Sequence, residues 1–131
     1  MTRDSSDTIA RRREAERRGR SAERVAAWYL RLKGYGILAR RFRGPIGEID
    51  LVARRFGTLA FVEVKARADG DAGLEAIGLK ARARIARAAE AWLTRYPAAA
   101  RMNLRFDVIV VTPGLAWPNH LRGAFGLGGS I

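Results

Sequence analysis

The sequence predicts an α/β domain in which helices pack on a mixed sheet, made of a three-strand antiparallel meander, a crossover helix and a further parallel strand. Three observations favour this fold class. Two apolar runs, 48–54 and 59–66, flank Arg55-Phe56-Gly57-Thr58, a pattern typical of a hairpin with a tight turn. A long helical pattern follows, and then a run at 104–112 that is apolar on both faces, as buried strands are. Two strands joined through a helix in this way are expected to be parallel.

The chain begins with a charged segment and continues into a helical pattern. Residues 1–18 are predicted to form a basic flexible arm or a frayed helix, which is either a solvated tail or a contact for nucleic acid. The first core helix is expected over 21–33, with Ser21 as its N-cap and Gly34 at its end. The apolar residues at helical spacing are Ala22, Val25, Tyr29 and Leu32.

The meander and a loop are expected in the middle of the chain. Residues 37–43 are typical of a strand and residues 44–47 of a turn, and the two apolar runs of the hairpin complete the meander. Glycine and aspartate from Arg67 to Gly73 predict a loop. This loop is expected to be mobile enough to fold over a substrate.

A long helix is predicted between Leu74 and Tyr96. Its apolar face is expected to contribute Trp92 and Tyr96 to the core. A basic stripe lies beside that face and consists of Lys80, Arg84, Arg87 and Arg95. The stripe is either a track for a phosphate backbone or a solvated helix face.

One domain is expected, over residues 19–125, because 131 residues form a single core that removes about two-thirds of the unfolded surface from water. From Pro113 onward an irregular tail is predicted, with room for a short strand near Leu121 and with His120 at the surface. Residues 126–131 form a glycine-rich tail.

Composition points to an anionic partner and an oxygen-ligand chemistry. The chain has 25 Lys and Arg against 13 Asp and Glu, a formal charge of +12, and arginine is the dominant cation. Arginine binds phosphates bidentately, so nucleic acid is the expected partner and a membrane is not. No cysteine and one histidine exclude thiolate and multi-histidine metal sites. Because no segment is apolar enough for export or for a bilayer, a cytoplasmic location is expected.

The predicted hairpin brings two acids and a lysine together. The two-residue period of a strand places Glu63 and Lys65 on one face. If Phe56-Gly57 is a two-residue loop, Asp50 lies opposite Glu63 and Glu48 lies opposite Lys65. Opposed carboxylates repel each other unless a cation joins them. Phosphodiester cleavage needs hard oxygen ligands for a divalent cation and positive charge near the phosphorus, which these residue types supply.

A purely structural interpretation competes with this one. Glu48 and Lys65 could form an ordinary cross-strand ion pair, with the two other acids on a solvated face. Both strands are apolar on each face, however, and charges within a buried hairpin are costly without partners, which favours a functional site. Asp107, an acid in the otherwise apolar run after Arg105, is either a ligand or a partner of that arginine or of a group on the first helix.

Several motifs in order resemble a known family. They are Gly19-Arg-Ser-Ala-Glu23, Ala26-Ala-Trp-Tyr-Leu30, Gly34-Tyr35, Gly47-Glu-Ile-Asp-Leu51, Phe61-Val-Glu-Val-Lys65, Arg82 to Leu93 and Arg105-Phe-Asp-Val108. The chain resembles the YraN-like endonuclease family over about residues 19 to 125. That family is similar to archaeal Holliday junction resolvases and has the restriction-endonuclease-like α/β/α core with a PD-(D/E)xK site.

The resemblance implies a role for each residue of the site. Asp50 and Glu63 would bind Mg²⁺, with Mn²⁺ as a substitute and the backbone carbonyl of Val64 as a further ligand. Lys65 would orient the attacking water and stabilise negative charge. Glu23 matches the first-helix glutamate of the resolvases.

The expected function is therefore that of a metal-dependent endonuclease acting on DNA, on branched or damaged structures in repair or recombination. A homodimer is expected because a junction needs two cuts. The residues expected to contact nucleic acid are Lys80, Arg84, Arg87, Arg67 and Arg43. One alternative is a nucleic-acid-binding protein of the same fold with little or no turnover, and another is a ribonuclease.

Overall fold

The computed structural model describes the backbone of residues 3–67, 79–114 and 117–125, and the side chains of residues 6–67, 81–114 and 117–125. Its elements are α1 (Arg3–Leu32), β1 (Gly36–Arg43), β2 (Glu48–Arg55), β3 (Thr58–Ala66), α2 (Leu79–Arg95), a 3₁₀ helix (Pro97–Arg101), β4 (Asn103–Val111) and β5 (Asn119–Phe125). The five strands form one sheet in the order β1-β2-β3-β4-β5. Strands β3 and β4 are parallel and all other neighbours are antiparallel, so the predicted fold class is confirmed.

The turn between β2 and β3 sets the register of the central hairpin. Arg55 pairs with Thr58 across a two-residue loop, and the pairing continues to Leu51 opposite Val62. Phe56, the first residue of the loop, has φ 53, a left-handed conformation that tight hairpin turns require and that a bulky residue adopts at a cost. The predicted two-residue loop is confirmed.

The two faces of the sheet carry separate cores, one under each helix. Leu59 and Phe61 face α2, whereas Ala60 and Val62, one residue out of phase, face α1. This alternation follows from the two-residue period of a strand. The two long helices therefore cover opposite faces of the sheet.

Helix α1 begins at Arg3, so the expectation that it starts at Ser21 was wrong. Residues 6–20 lack an apolar stripe, and they continue the helix through good helix formers and pairs such as Glu14 with Arg17 at 3.6 Å. The helix ends as predicted: Gly34 has φ 90, and the Tyr35 N–H donates to the carbonyl of Leu30. The prediction that residues 1–18 act as a separate arm remains a prediction. Among the described segments, no helix is long and apolar enough to cross a bilayer.

Three expectations for the second half of the chain change. The segment after Pro113 contains the strand that was expected near Leu121, but this strand, β5, spans seven residues and leaves less of the segment irregular than predicted. Tyr96 is 43% exposed and only stacks against Trp92, which is the buried member of the pair. The loop expected from Arg67 to Gly73 lies beyond the described residues after its first residue, as do the start of the long helix at Leu74 and the tail at 126–131.

A buried polar network attaches β5 to the sheet and to α1. Asp107 is fully buried and accepts two hydrogen bonds from Arg105, both 2.8 Å long, and one from the backbone N–H of Gly123. The Nε2 of His120 lies 2.8 Å from Asp107 Oδ2, and Lys33 Nζ lies 2.8 Å from His120 Nδ1. The side chain of His120 is only 2% exposed, so its expected surface position was wrong. His120 is buried because its imidazole ring is hydrogen-bonded to the buried carboxylate of Asp107.

The structure also decides the role of Asp107. Burial raises the pKa of its carboxyl, but hydrogen bonds from His120 and Arg105 outweigh that effect and hold the pKa below its ordinary value. The carboxylate is therefore the charged centre of the network. Of the alternatives left open for Asp107, the geometry therefore favours the one in which Asp107 is the partner of Arg105.

Candidate active site

The candidate site lies where the β2–β3 ladder stops. Beyond the last pair, Leu51 with Val62, the two strands no longer exchange backbone hydrogen bonds in register. The carboxylate of Asp50 instead accepts a 2.8 Å hydrogen bond at Oδ2 from the backbone N–H of Val64. Asp50 thus takes the place of a strand carbonyl, and this brings its side chain next to Glu63.

The predicted acids and lysine are brought together at this point. Burial and then the negative charge of Glu63 are the main causes that raise the pKa of Asp50 to about 8, a value that already includes the lowering effect of the Val64 hydrogen bond. Lys65 Nζ lies 3.1 Å from Glu63 Oε1, and the two side chains are 24% and 16% exposed. Two crowded carboxylates and one ammonium therefore share a half-buried site.

The first helix contributes a third acid. Glu23 Oε2 accepts a 2.8 Å hydrogen bond from Arg41 Nε, and its charge contributes to the raised pKa of Asp50. Among the described residues, no group of three or more Asp, Glu, His or Cys side chains is arranged to hold a metal ion. Glu23 is near the acid pair but is engaged by an arginine.

Arg41 is the residue of this site that the sequence analysis missed. The pairs Arg40 with Leu51 and Phe42 with Ile49 flank it, so Arg41 lies opposite Asp50. Its φ of 51 is left-handed, and this breaks the alternation of β1 so that Arg40 and Arg41 are both exposed. The bond to Glu23 raises the pKa of Arg41, and weaker attractions to Glu48 and Asp50 add to it. The side on which the Arg41 side chain lies could not be predicted from a two-residue period, because that period holds only for a regular strand backbone.

A cavity of about 860 Å³ opens beside the acid pair, and we call it the carboxylate cavity. Its lining consists of Arg43, Gly44, Pro45, Ile46, Gly47, Glu48, Asp50, Glu63, Ala81, Arg84 and Ile85. Two residues expected to contact nucleic acid, Arg43 and Arg84, are therefore placed beside the acids. Glu48 lies 3.8 Å from Arg43 and Lys65 pairs with Glu63, so the alternative cross-strand ion pair between Glu48 and Lys65 is not formed. That pairing assumed that the ladder continues past Leu51.

The other three residues expected to contact nucleic acid lie outside this cavity. Arg87 lies on α2 and lines a neighbouring depression with Pro45 and Ile46. Arg67 follows β3 and lines a cavity on the far side of the site. Lys80 is within α2, but its side chain is outside the described part of the structure.

Two glycines allow the β1–β2 turn to approach α2 closely. A Cβ on Gly47 would overlap the backbone carbonyl of Arg84, and a Cβ on Gly44 would lie 3.2 Å from the Cβ of Ala91 and 3.3 Å from the Cα of Ala88. This close approach places the turn, and therefore the start of β2 with Glu48, against the helix that contributes Arg84. The glycines form one wall of the carboxylate cavity.

We predict that Gly47→Ala lowers the free energy of unfolding by about 1 to 3 kcal/mol, the usual cost of overpacking, because helix backbone cannot yield as a side chain does. Urea unfolding followed by tryptophan fluorescence would measure it. Gly57→Ala is the matched control, since a Cβ there meets no described atom within 4 Å. Equal stability of the two variants would contradict the predicted contact.

Comparison with known proteins identifies the family. Residues 22–111 match the family described as Uncharacterised protein family UPF0102. The chain belongs to this family. It is 54% identical over 127 residues to a UPF0102 protein of Methylorubrum extorquens (strain PA1), covering 97% of the chain and 98% of that relative. UPF0102 proteins of Agrobacterium fabrum (strain C58) and Rhodopseudomonas palustris (strain CGA009) are 50% and 51% identical, covering 88% and 92% of the chain and 93% and 92% of the relatives.

The range that matches UPF0102 contains the whole candidate site. Glu23, Asp50, Glu63 and Lys65 all lie within residues 22–111, as does Asp107. The first nineteen described residues of α1 and all of β5 lie outside that range. In this UPF0102 protein, the acids therefore lie within the residues that match the family, whereas His120 lies beyond them.

Proposed function

We propose that this UPF0102 protein is a metal-dependent endonuclease that hydrolyses phosphodiester bonds of DNA. The observation that carries the proposal is the meeting of the Asp50 and Glu63 carboxylates at the end of the β2–β3 ladder, with the Lys65 ammonium 3.1 Å from Glu63. A ladder of paired strands gains nothing from two adjacent acids, whose mutual repulsion is unfavourable. A divalent cation would turn that repulsion into attraction.

The donor set fits Mg²⁺, and Mn²⁺ as its substitute. Mg²⁺ in enzymes is held by one or two carboxylates and completes its octahedron with water and substrate phosphate, so two acids are sufficient. The N–H of Val64 faces Asp50, and in an extended strand the carbonyl of the same residue points the same way, which offers a third oxygen. Bound there, the cation would supply Lewis acidity at a phosphoryl oxygen and would make hydroxide accessible near neutral pH.

Residues of the chain would orient the attacking water, stabilise the developing charge and bind the substrate. Lys65, within hydrogen-bonding distance of Glu63, would orient the attacking water and stabilise the negative charge that develops on the phosphate. Arg43 and Arg84 would bind phosphates of the strand that enters the carboxylate cavity. The resemblance to resolvases and to the PD-(D/E)xK fold suggests branched or damaged DNA as the substrate, and a homodimer would suit a symmetric junction.

Cleavage of a substrate panel tests the proposal. The panel would contain a four-way junction, a flap, duplex and single-stranded DNA, and RNA, each with Mg²⁺ or Mn²⁺. We expect Asp50→Ala and Lys65→Ala to lose cleavage by roughly 10²- to 10³-fold or more while they retain binding. Glu90→Gln, an exposed acid of α2, is the control and should cleave like the wild type. Cleavage that is equal in all four proteins would indicate a contaminant and would overturn the proposal.

The second candidate is a nucleic-acid-binding protein of the same fold without turnover. One observation favours it: Glu63 is already paired with Lys65 and Glu23 with Arg41, so two of the three acids have cationic partners. This candidate predicts salt-sensitive binding by every variant and no metal-dependent cleavage. A preference for substrates with 2′-hydroxyls would instead indicate a ribonuclease.

A further inference from the structure

A second cavity is lined by Lys65, and the charge of its lining is opposite to that of the acid pair. It has a volume of about 470 Å³ and is bounded by the end of β3, the residues that follow β3 and β4, and α1; we call it the basic cavity. Its lining consists of Ala15, Arg18, Gly19, Val64, Lys65, Ala66, Arg67 and Pro113. Three of these residues are cationic and none is acidic. The charged residues that line the first cavity therefore include acids and arginines, whereas those that line the second are all cationic.

The three cations of the basic cavity differ in their contacts with the rest of the protein. Arg67 makes two hydrogen bonds. Its backbone N–H donates to the carbonyl of Val111, and its guanidinium donates to the carbonyl of Ala66. Arg18 lies on the regular helix α1 and has no acidic partner among the described side chains. Lys65 is shared, since its ammonium also contacts Glu63. Three like charges around one cavity repel each other, so an anion between them is stabilising.

Gly19 provides an independent observation. Glycine within a helix costs about 1 kcal/mol relative to alanine, and a packing constraint is the common reason for keeping it. Here a Cβ on Gly19 would meet no described atom within 4 Å, so packing in the described structure does not require glycine. Gly19 is itself part of the lining of the basic cavity, so we expect a larger side chain there to occupy part of that cavity. The glycine leaves this space open to a ligand that approaches the helix backbone.

We propose that the basic cavity binds a backbone phosphate of the nucleic-acid strand next to the phosphate held at the acid pair, so that the N-terminal half of α1 forms the second wall of the substrate cleft. This inference rests on the proposed function, because it assumes that the strand crosses the acid pair. The two cavities adjoin only at the end of β3, where Glu63 lines the first and Val64 and Lys65 line the second, so the strand would pass around this end from one face of the sheet to the other. The ligand is a phosphodiester of a polymer, since Arg43 and Arg84 in the other cavity serve the same strand.

Binding without turnover tests this inference. All proteins would carry Asp50→Asn, and affinity for a short fluorescein-labelled DNA, as single strand and as duplex, would be measured by anisotropy over a salt series. We expect Arg18→Ala and Arg67→Ala each to weaken binding roughly 3- to 10-fold and to reduce the slope of log K against log salt by about one. We expect Gly19→Leu, which keeps every charge, to weaken binding through steric exclusion and to leave the melting temperature at or above that of the parent.

The matched control is Arg17→Ala, which removes the neighbouring arginine on the same helix. Arg17 is 72% exposed, pairs with Glu14 and does not line the basic cavity. If Arg18→Ala weakens binding no more than Arg17→Ala does, or if Gly19→Leu binds like the parent, the inference is overturned. Calorimetric titration with inorganic phosphate alone should give no saturable heat; saturation that Arg18→Ala abolishes would assign the cavity to a free phosphate compound instead.

This design separates the two proposals. Cleavage can fail while the arginine and glycine variants still change the affinity and the salt slope, because no turnover is needed. Conversely, cleavage can depend on Asp50 and Lys65 while Arg18→Ala binds normally. The first pattern would support the basic cavity and reject the nuclease, and the second would do the reverse.

Discussion

Asp50→Asn is expected to make the metal-free protein more stable above neutral pH. Burial and the charge of Glu63 raise the pKa of Asp50 from an ordinary 3.8 to about 8 in the folded protein. A group with a raised pKa contributes stability below its ordinary pKa and loses that contribution as the pH rises through the folded value. Asparagine is neutral at every pH, and its side-chain oxygen can still accept the hydrogen bond of Val64. We expect a gain of about 1 to 3 kcal/mol at pH 8.

The pH dependence of the stability difference between wild type and Asp50→Asn is the most specific test of this prediction. Melting temperatures of wild type and Asp50→Asn, measured in EDTA, should converge as the pH falls from 8 towards 4, because Asp50 then becomes protonated and neutral like the asparagine. Asp7→Asn, a change at an exposed acid of α1, should show no such divergence. A difference that is constant between pH 5 and pH 8 would contradict the raised pKa of Asp50.

If Asp50 is a ligand, Mg²⁺ should make the melting temperature of the wild type higher than that of Asp50→Asn. A cation that binds only the folded state stabilises it in proportion to the logarithm of its concentration over Kd. We expect Mg²⁺ to raise the melting temperature of the wild type, more at pH 8 than at pH 6 because the cation competes with a proton, and to leave Asp50→Asn unchanged. Equal shifts in both proteins would place the cation elsewhere.

The second large effect is expected at Asp107. Asp107→Asn removes the charge that faces Arg105 and His120 in a fully buried position, and breaking a buried pair in this way costs about 3 to 5 kcal/mol. Typical domains are stable by only about 5 to 15 kcal/mol, so the variant is expected to approach unfolding at room temperature. Urea denaturation, followed through the buried Trp92, would measure the loss.

Acid should have the same effect on the wild type. Because the pKa of Asp107 is lowered in the folded state, its contribution to stability is complete above its ordinary pKa and is lost as the pH falls through the folded value. The wild type should therefore lose stability below about pH 4, whereas Asp107→Asn should show a shallower acid limb. Asp7→Asn again serves as the control. Wild type and Asp107→Asn curves that run parallel below pH 4 would contradict the role of Asp107.

Periodicity predicts most of this sheet because its strands are regular. The register from Leu51 to Arg55 follows from a two-residue loop, and the parallel partner of β3 follows from the helix between them. The acids could be placed together from the same register. Asp107 gave a usable signal as well, since an acid in a buried strand must have a partner.

The residues that escaped prediction are those whose position depends on distant contacts or irregular backbone. His120 lies in a segment with no clear pattern, and its burial follows from Asp107 and Lys33, which are far away in sequence. Arg41 has a left-handed backbone that a regular strand would not have. The first turns of α1 lack an apolar face, so their helical state depends on propensity and local charge pairs rather than on packing.

The hydrogen bond from the Val64 amide to Asp50 makes that amide a reporter of the site. Protonation of the carboxylate, or a cation that withdraws its electron density, weakens this acceptor while the neighbouring amides of β3 keep their partners. The nitrogen and proton shifts of Val64 should therefore move with pH and with Mg²⁺, and the amide should exchange with solvent faster once the acceptor is engaged elsewhere. A single backbone resonance would then record occupancy of the site in the absence of any substrate.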